Sequence, residues 1–215
     1  MNIKEKYDKI LDWFALNMPV AESELNYSNP FELLVAVVLS AQCTDKRVNM
    51  VTPALFAAYP TAYEMSKADE GAILNYISSV SYPNNKAKHL LGLSKVLVEK
   101  FDGVVPDDEQ KLQVLPGVGR KTANVVLAVA FNKPAMPVDT HVFRVSHRLG
   151  LVPSSAKTPL AVEKRLVKNI PLEKLAVAHH WLLLHGRYVC KALKPECENC
   201  GLHLYCSFKR KKIKK

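Results

Sequence analysis

Four of the five cysteines in the chain lie in one short segment near its C-terminus, residues 190–206. Their spacing is C-x6-C-x2-C-x5-C, and the residues between them are mostly polar, which disfavours burial as ordinary core cysteines. A disulfide framework is also disfavoured, because the N-terminus is charged and lacks the apolar core of a signal peptide. Zinc and a [4Fe-4S] cluster each take four cysteines. The segment is therefore expected to fold around a metal centre held by Cys190, Cys197, Cys200 and Cys206.

The hydrophobic spacing of α-helices covers most of the remaining chain, and no convincing strand pattern or internal repeat is found. The expected N-caps include Asn29, which is followed by Pro30, and also Asp45 and Asp139. These patterns predict an all-α fold. The predicted helices are residues 4–17, 31–40, 45–58, one capped within residues 66–69 and ending near 78, 86–101 opened by Pro83, 108–114, 120–131, 139–149, 158–169 and 172–188.

The formal net charge is +10, but six of the positive charges lie in the tail, residues 209–215. The remaining 24 basic and 20 acidic residues leave the body at +4, so a nucleic-acid site must be built locally. The longest apolar run, residues 33–39, is far shorter than the roughly 18 residues that a membrane-spanning helix needs. We therefore expect a cytoplasmic protein with no membrane partner. The tail is either a solubilising segment or an arm for a polyanion.

A turn rich in glycine separates two of the predicted helices. The string Leu-Pro-Gly-Val-Gly-Arg-Lys-Thr-Ala occupies residues 115–123. Glycine permits a positive φ and close backbone approach, and amides at the start of the next helix favour a phosphate. A plain helix–turn–helix corner explains the two glycines alone, but the full string resembles the helix-hairpin-helix motif of DNA-repair proteins, which grips the DNA backbone. The expected DNA contacts are Gly117, Val118, Gly119 and Arg120.

Lys121 follows this turn directly and is the candidate nucleophile. A surface lysine is usually only a solvated charge. Here the helix N-terminus and the adjacent Arg120 both disfavour the protonated amine. A neutral amine forms a Schiff base with a carbonyl-like carbon, and the sugar C1′ of a damaged nucleotide is such a centre.

Asp139 is the second candidate catalytic residue, in the string Val-Asp-Thr-His-Val-Phe-Arg-Val at residues 138–145. Its structural explanation is an N-cap, worth about 1 kcal/mol. That role does not exclude a chemical one, because a capping carboxylate stays ionised. A fixed anion can stabilise an oxocarbenium-like sugar or relay a proton to and from an amine.

Together these motifs resemble the endonuclease III family of DNA glycosylases and abasic-site lyases. Besides the hairpin and cysteine strings, the resemblance includes residues 40–45, 138–141 and 180–187, in the family's order. It implies two helical domains with a DNA-binding cleft between them that holds Lys121 and Asp139. The implied domains are residues 22–133, with the hairpin at about 108–131, and residues 1–21 plus 134–215, with the cysteine loop 190–206. It also implies that the cysteines bind one [4Fe-4S] cluster.

The resemblance implies that the chain removes damaged pyrimidines from duplex DNA and cleaves the abasic site by β-elimination. Gln42 would fill the space left by the flipped nucleotide, although a helix-end amide explains it as well. Tyr82 lies where a residue that wedges into the duplex is expected, with core packing as the alternative. Lys191 and Lys194, within the cysteine loop, are further candidate phosphate contacts. Cys43 departs from the family pattern and is expected to be a packed free thiol.

The expected partner is duplex DNA with damaged pyrimidines or abasic sites, and the expected state is a monomer without an obligate protein partner, at the nucleoid if the source is bacterial. Two other classes stay open. One is a monofunctional DNA glycosylase, and the other is a noncatalytic helix-hairpin-helix DNA-binding protein. The presence of both Lys121 and Asp139 argues against the second of these.

Overall fold

The computed structural model describes residues 1–208, and the basic tail at 209–215 lies outside them. Helices account for all the regular structure in the described range, as the all-α prediction requires. Two 3-10 turns, Leu172–Lys174 and Cys197–Asn199, accompany the α-helices. The α-helices are α1 (Ile3–Asn17), α2 (Pro30–Ser40), α3 (Asp45–Ala58), α4 (Ala62–Ser66), α5 (Glu70–Ile77), α6 (Pro83–Phe101), α7 (Glu109–Gln113), α8 (Arg120–Phe131), α9 (Thr140–Leu149), α10 (Pro159–Asn169) and α11 (Leu175–Tyr188).

The helix starts follow from capping side chains. Asn29 caps α2 by accepting a hydrogen bond from the amide of Glu32 at 3.0 Å, and Pro30 occupies the first turn, as predicted. Asp139 caps α9, which is also as predicted. The prediction of Asp45 as a cap is wrong, because Thr44 takes that place and Asp45 is the first helical residue. The two residues are adjacent and both are good caps, so sequence alone does not separate them.

Three helix starts agree with or refine the predictions. Helix α6 begins at Pro83, as predicted, because proline suits the first turn. The helix predicted to be capped within residues 66–69 begins at Glu70, and Asp69 is its cap. The five-residue α4 before it, which ends at Ser66, is too short to show periodicity. Residues 172–174 form a 3-10 turn ahead of α11.

Residues Ser23–Lys133 form one compact unit that contains α2 to α8. Its centre is α2, whose residues from Phe31 to Leu39 are buried except Glu32. This agrees with the prediction of a central helix that is apolar nearly all round. Helix α2 packs against α3, α6 and α8.

The second compact unit joins Met1–Glu22 to the described part of Pro134–Lys215. Its core brings together α1, α9, α10 and α11. Phe14 of α1 stacks on Trp181 of α11 with ring centroids 5.8 Å apart, and the Trp181 indole donates to the carbonyl of Met18 at 2.8 Å. The unit therefore needs both ends of the chain to complete one core. No helix within residues 1–208 has the length and apolar character needed to cross a membrane.

Candidate nucleic-acid interface and cysteine centre

The glycine-rich turn joins α7 to α8, as the hairpin prediction requires. Gly117 has φ +79, and a Cβ at this position would lie 3.0 Å from the His89 side chain on α6. Gly119 has an extended backbone at φ −90, and its position is open space. Val118 between them is buried and anchors the turn. Gly117 is therefore required by backbone conformation, whereas Gly119 leaves the turn surface open.

The N-terminus of α8 is the part of this turn that suits an anion. Gly119 provides no capping side chain, so the first amides of α8 have no side-chain partner at the N-cap. Lys121 is exposed in the first turn of this helix. Arg120 forms an ion pair with Glu109 of α7, with the Arg120 Nη1 2.5 Å from the Glu109 Oε1. Arg120 therefore holds α7 and α8 together in the free protein.

Gln42 and Tyr82 lie at two other turns of the same unit, and both have left-handed backbone conformations. Each has φ 54, which is uncommon for residues other than glycine and a clear outlier for a bulky side chain. Gln42 is exposed just after α2, and Tyr82 is 63% exposed at the N-terminus of α6. The alternative that Tyr82 is a core residue is therefore wrong. Such strained turns concentrate at functional sites.

Lys86 is a buried cation that the sequence reasoning missed. It is only 5% exposed, and its Nζ donates to the carbonyl oxygens of Leu39 and Ala41, each at 2.7 Å. Burial lowers the pKa of Lys86, and the charge of nearby Cys43 acts in the opposite direction. Cys43 is a half-buried free thiol, as expected, and it does not belong to the compact unit that contains the four other cysteines.

Asp139 is half-buried at the start of α9, and its Oδ1 accepts a hydrogen bond from the amide of Val142 at 2.7 Å. The loop just before it is held by His179 of α11, whose Nδ1 donates to the carbonyl of Pro137 at 3.0 Å. His179 is buried. The carboxylate therefore has a defined position within its own unit.

The four clustered cysteines line one cavity of about 50 Å³, together with residues that include Leu149, His185 and Phe208. Within residues 1–208, no three His, Cys, Asp or Glu side chains form a group able to hold a metal ion. Burial raises the pKa of the Cys200 and Cys206 thiols, and the neighbouring cysteines add to this effect. A cationic centre in the cavity would offset the cost of forming thiolates there.

His185 borders the same cavity and is another residue that sequence reasoning did not single out. Its Nε2 lies 3.7 Å from the Cys200 sulfur, and its ring packs edge-on against Trp13 and Phe14. Burial lowers the pKa of His185 to about 4, so the ring is neutral at physiological pH. Its Nδ1 has no hydrogen-bond partner among the described residues.

Two arginines of α9 hold the cysteine loop, and neither was predicted. Arg148 donates to the carbonyls of Lys191 and Ala192 at 2.8 and 2.9 Å, and its guanidinium lies 4.4 Å from the centre of the Phe208 ring. Arg144 donates to the carbonyl of Cys190 at 3.1 Å. The i, i+4 spacing of the two arginines is a signal, but only the fold shows what they contact.

Lys191 and Lys194 are both exposed on the cysteine loop. The Lys191 ammonium lies 2.6 Å from the Glu196 Oε1, so in the free protein it is paired with a carboxylate. A phosphate would have to compete with this exposed pair, which is a modest cost at the surface. Contact of either lysine with DNA stays a prediction.

The family model described as HhH-GPD superfamily base excision DNA repair protein matches residues 35–172. Endonuclease III of Rickettsia conorii is 48% identical over 201 residues, which cover 94% of this chain and 95% of that protein. Endonuclease III of Bacillus subtilis is 49% identical over 208 residues, or 97% of this chain and 93% of the relative.

Among solved structures, a trapped endonuclease III–DNA covalent intermediate, described as an estranged-adenine complex, has a TM-score of 0.90 and 46% identity. The match covers 96% of this chain and 97% of that one. The chain therefore belongs to the endonuclease III family, within the HhH-GPD superfamily.

Proposed function

We propose that the chain is a bifunctional base-excision-repair enzyme, which removes damaged pyrimidines from duplex DNA and then cleaves the abasic site by β-elimination. The observation that carries the proposal is the placement of Lys121. It is exposed in the first turn of α8, directly after a turn whose open glycine leaves helix amides available to a phosphate. An amine beside a backbone-gripping turn suits attack on the sugar of the gripped strand.

Binding begins at the hairpin turn, where the amides of α8 and the backbone around Gly117 to Gly119 contact phosphates without reading sequence. The damaged nucleotide leaves the base stack, as chemistry on a base in a duplex requires. Gln42 then fills the space that it leaves, and Tyr82 inserts beside it. Their exposure at two strained turns supports these roles, since each side chain is available to a duplex.

The chemistry then takes place at Lys121. Its neutral amine attacks C1′, a carbon–nitrogen bond forms, and the glycosidic bond breaks with its electron pair leaving on the base. The departing base takes up a proton, and loss of the amine proton with opening of the sugar gives the Schiff base. This acidifies the 2′ hydrogen, whose removal expels the 3′ oxygen and breaks the strand.

Asp139 is assigned the acid–base and electrostatic role. Its carboxylate accepts a backbone amide hydrogen bond, which keeps the anion in place. In that position it accepts the amine proton and stabilises positive charge on the sugar. Lys121 and Asp139 belong to different compact units of the chain.

The cavity lined by Cys190, Cys197, Cys200 and Cys206 is assigned to one [4Fe-4S] cluster. Four cysteine donors suit either zinc or a cluster, and the likeness to endonuclease III favours the cluster. When bound, the cluster supplies a rigid cross-link for the loop and no step of the reaction. Lys191 and Lys194 would then be presented to phosphates from a fixed loop.

The proposed partner is duplex DNA. The protein is proposed to act on it as a monomer, in the cytoplasm at the nucleoid. A monofunctional glycosylase and a noncatalytic DNA-binding protein are the alternatives that the following experiment separates.

Borohydride trapping on a duplex with one abasic site tests the proposed function. Wild-type protein is expected to give a covalent adduct, and Lys121→Ala is expected to give none, because no other amine occupies that position. Lys100→Ala, at the far end of α6, is the matched control and is expected to be trapped like the wild type. Both replaced lysines are exposed, so neither change alters the core.

If iron-replete wild-type protein binds the duplex but is never trapped, the lyase mechanism is wrong. Release of free base without an adduct would then identify a monofunctional glycosylase. Binding without base release would identify a noncatalytic protein.

A further inference from the structure

Lys86 is a buried charged residue in the compact unit that contains the hairpin. A buried ammonium is costly unless hydrogen bonds replace its water. Both of its hydrogen-bond partners, the carbonyls of Leu39 and Ala41, are main-chain groups at 2.7 Å. The hydrogen bonds of the Lys86 ammonium therefore go to one short backbone segment, residues 39–41.

That piece of backbone is the C-terminus of α2. The last carbonyls of a helix have no partner within the helix, and the helix dipole makes this end negative, so a cation there is favourable. Ala41 is the C-cap residue, and Gln42 follows it with φ 54. Lys86 thus holds the carbonyl of Ala41, which directly precedes the strained residue, and the carbonyl of Leu39 two residues before it.

The main chain of Lys86 closes a second turn. Its amide donates to the carbonyl of Tyr82 at 3.2 Å, which is the first hydrogen bond of α6 after the left-handed Tyr82. One residue therefore contributes to both strained turns, by its side chain at one and its backbone at the other.

The same helix also contacts the hairpin turn. The His89 side chain lies against Gly117, and Gly92 lies against Pro116, where an added Cβ would approach within 3.2 Å. The contacts at positions 86, 89 and 92 recur at helical spacing along α6. Helix α6 therefore relates the Gln42 turn, the Tyr82 turn and the hairpin turn to one another.

We propose that Lys86 is a positioning residue. It fixes the Gln42 turn relative to Tyr82 and the hairpin turn, so that the side chains of Gln42 and Tyr82 contact the duplex together. The inference rests on the proposed function, in which Gln42 fills the space of the flipped nucleotide. Lys86 is buried and bonded to backbone, so it acts through Gln42 and does not touch the reacting atoms.

Lys86→Met tests this assignment, because methionine keeps the length and apolar stem but removes the charge and the donors. Hydrogen exchange followed by mass spectrometry should become faster over residues 38–44 of the DNA-free protein and stay unchanged in the hairpin. The single-turnover rate of base release should fall at least about tenfold, because misplacing a contacting group by about 1 Å has effects of this size or larger. Affinity for undamaged duplex, which depends on the hairpin, should stay within about twofold of wild type.

The matched control is Lys95→Met, which removes an exposed lysine from the same helix. It should change neither the hydrogen exchange, nor the rate of base release, nor the affinity for undamaged duplex.

A double-mutant cycle with Gln42→Ala separates positioning from general destabilisation. If Lys86 acts through Gln42, the two losses in base release are not additive, and the double variant is no slower than the slower single variant. Should K86M lack a cooperative unfolding transition, Lys86→Gln replaces it in the same cycle and the same results decide.

Three results would each overturn the inference. K86M could release base at the wild-type rate, the losses in the double-mutant cycle could be additive, or the affinity of K86M for undamaged duplex could fall as much as its rate of base release. A failure of the proposed function is distinguishable from a failure of this inference, because the wild-type protein itself would then release no base and give no borohydride adduct.

Discussion

The carboxylate of Asp139 has two roles, because it caps α9 and also carries the charge assigned to catalysis. Asparagine caps a helix about as well as aspartate but lacks the charge. Replacement by asparagine therefore separates the structural role from the chemical one.

For Asp139→Asn we expect a loss of base-release rate of about 10²-fold or more, in the range typical of a general acid or base. The free energy of unfolding should change by less than about 1 kcal/mol, since the cap is kept. Binding to an abasic-site duplex should change far less than the rate, as measured by fluorescence anisotropy. Asp69→Asn, at the equivalent cap of α5, is the control and should leave the rate intact. Equal losses in rate and abasic-site binding would contradict the assigned role.

At the scale of the element, the two glycines of the hairpin turn have different physical requirements. Gly117 has φ +79 and lies against His89, whereas Gly119 has an extended backbone with open space at its Cβ position. The amino-acid sequence alone does not distinguish the two glycines, because glycine is compatible with both conformations.

Gly117→Ala should lower the free energy of unfolding by about 1–3 kcal/mol, the usual cost of a strained backbone position. Gly119→Ala should lower it by less than about 1 kcal/mol, since only the N-cap preference changes. In the second variant the added methyl group covers the open turn, so affinity for undamaged duplex should fall while the thermal unfolding temperature is nearly kept. A Gly119→Ala protein that binds undamaged duplex like the wild type would argue against a phosphate contact at this turn.

At the scale of the whole molecule, each compact unit has its own core, and the cysteine loop belongs to only one of them. Cys190, Cys200 and Cys206 pack at the edge of the core that α1 shares with α9 to α11. A cluster bound by this loop would therefore stabilise the unit formed by the two ends of the chain, since metal binding and folding are coupled.

Cys200→Ser should give a protein with little iron and little visible absorbance, and it should unfold at a lower temperature than the wild type. Cys43→Ser is the matched control, because this thiol lies in the other unit and should leave iron content unchanged. Iron analysis and differential scanning calorimetry measure both effects. A stable Cys200→Ser protein with full iron content would show that this ligand assignment is wrong.

Local signals in the sequence determined most of the helices. Asn29 with Pro30 identifies the start of α2, and the bounds of α3 and α8 agree with the predicted segments 45–58 and 120–131. Capping and hydrophobic spacing act within a few residues, so they can be read from the chain. The hairpin string, Lys121 and the four cysteines were also identifiable, because these motifs are contiguous or closely spaced.

Only the tertiary structure decided which side chains are buried, exposed or held in place. Lys86 reads as one more surface lysine until the fold places it beneath the end of α2, 47 residues away from Leu39 in sequence. The exposure of Tyr82, the grip of Arg148 on the cysteine loop and the position of His185 beside Cys200 depend likewise on distant segments. The physical reason is that burial and hydrogen bonding between distant segments are properties of the packed chain, and no local pattern encodes them.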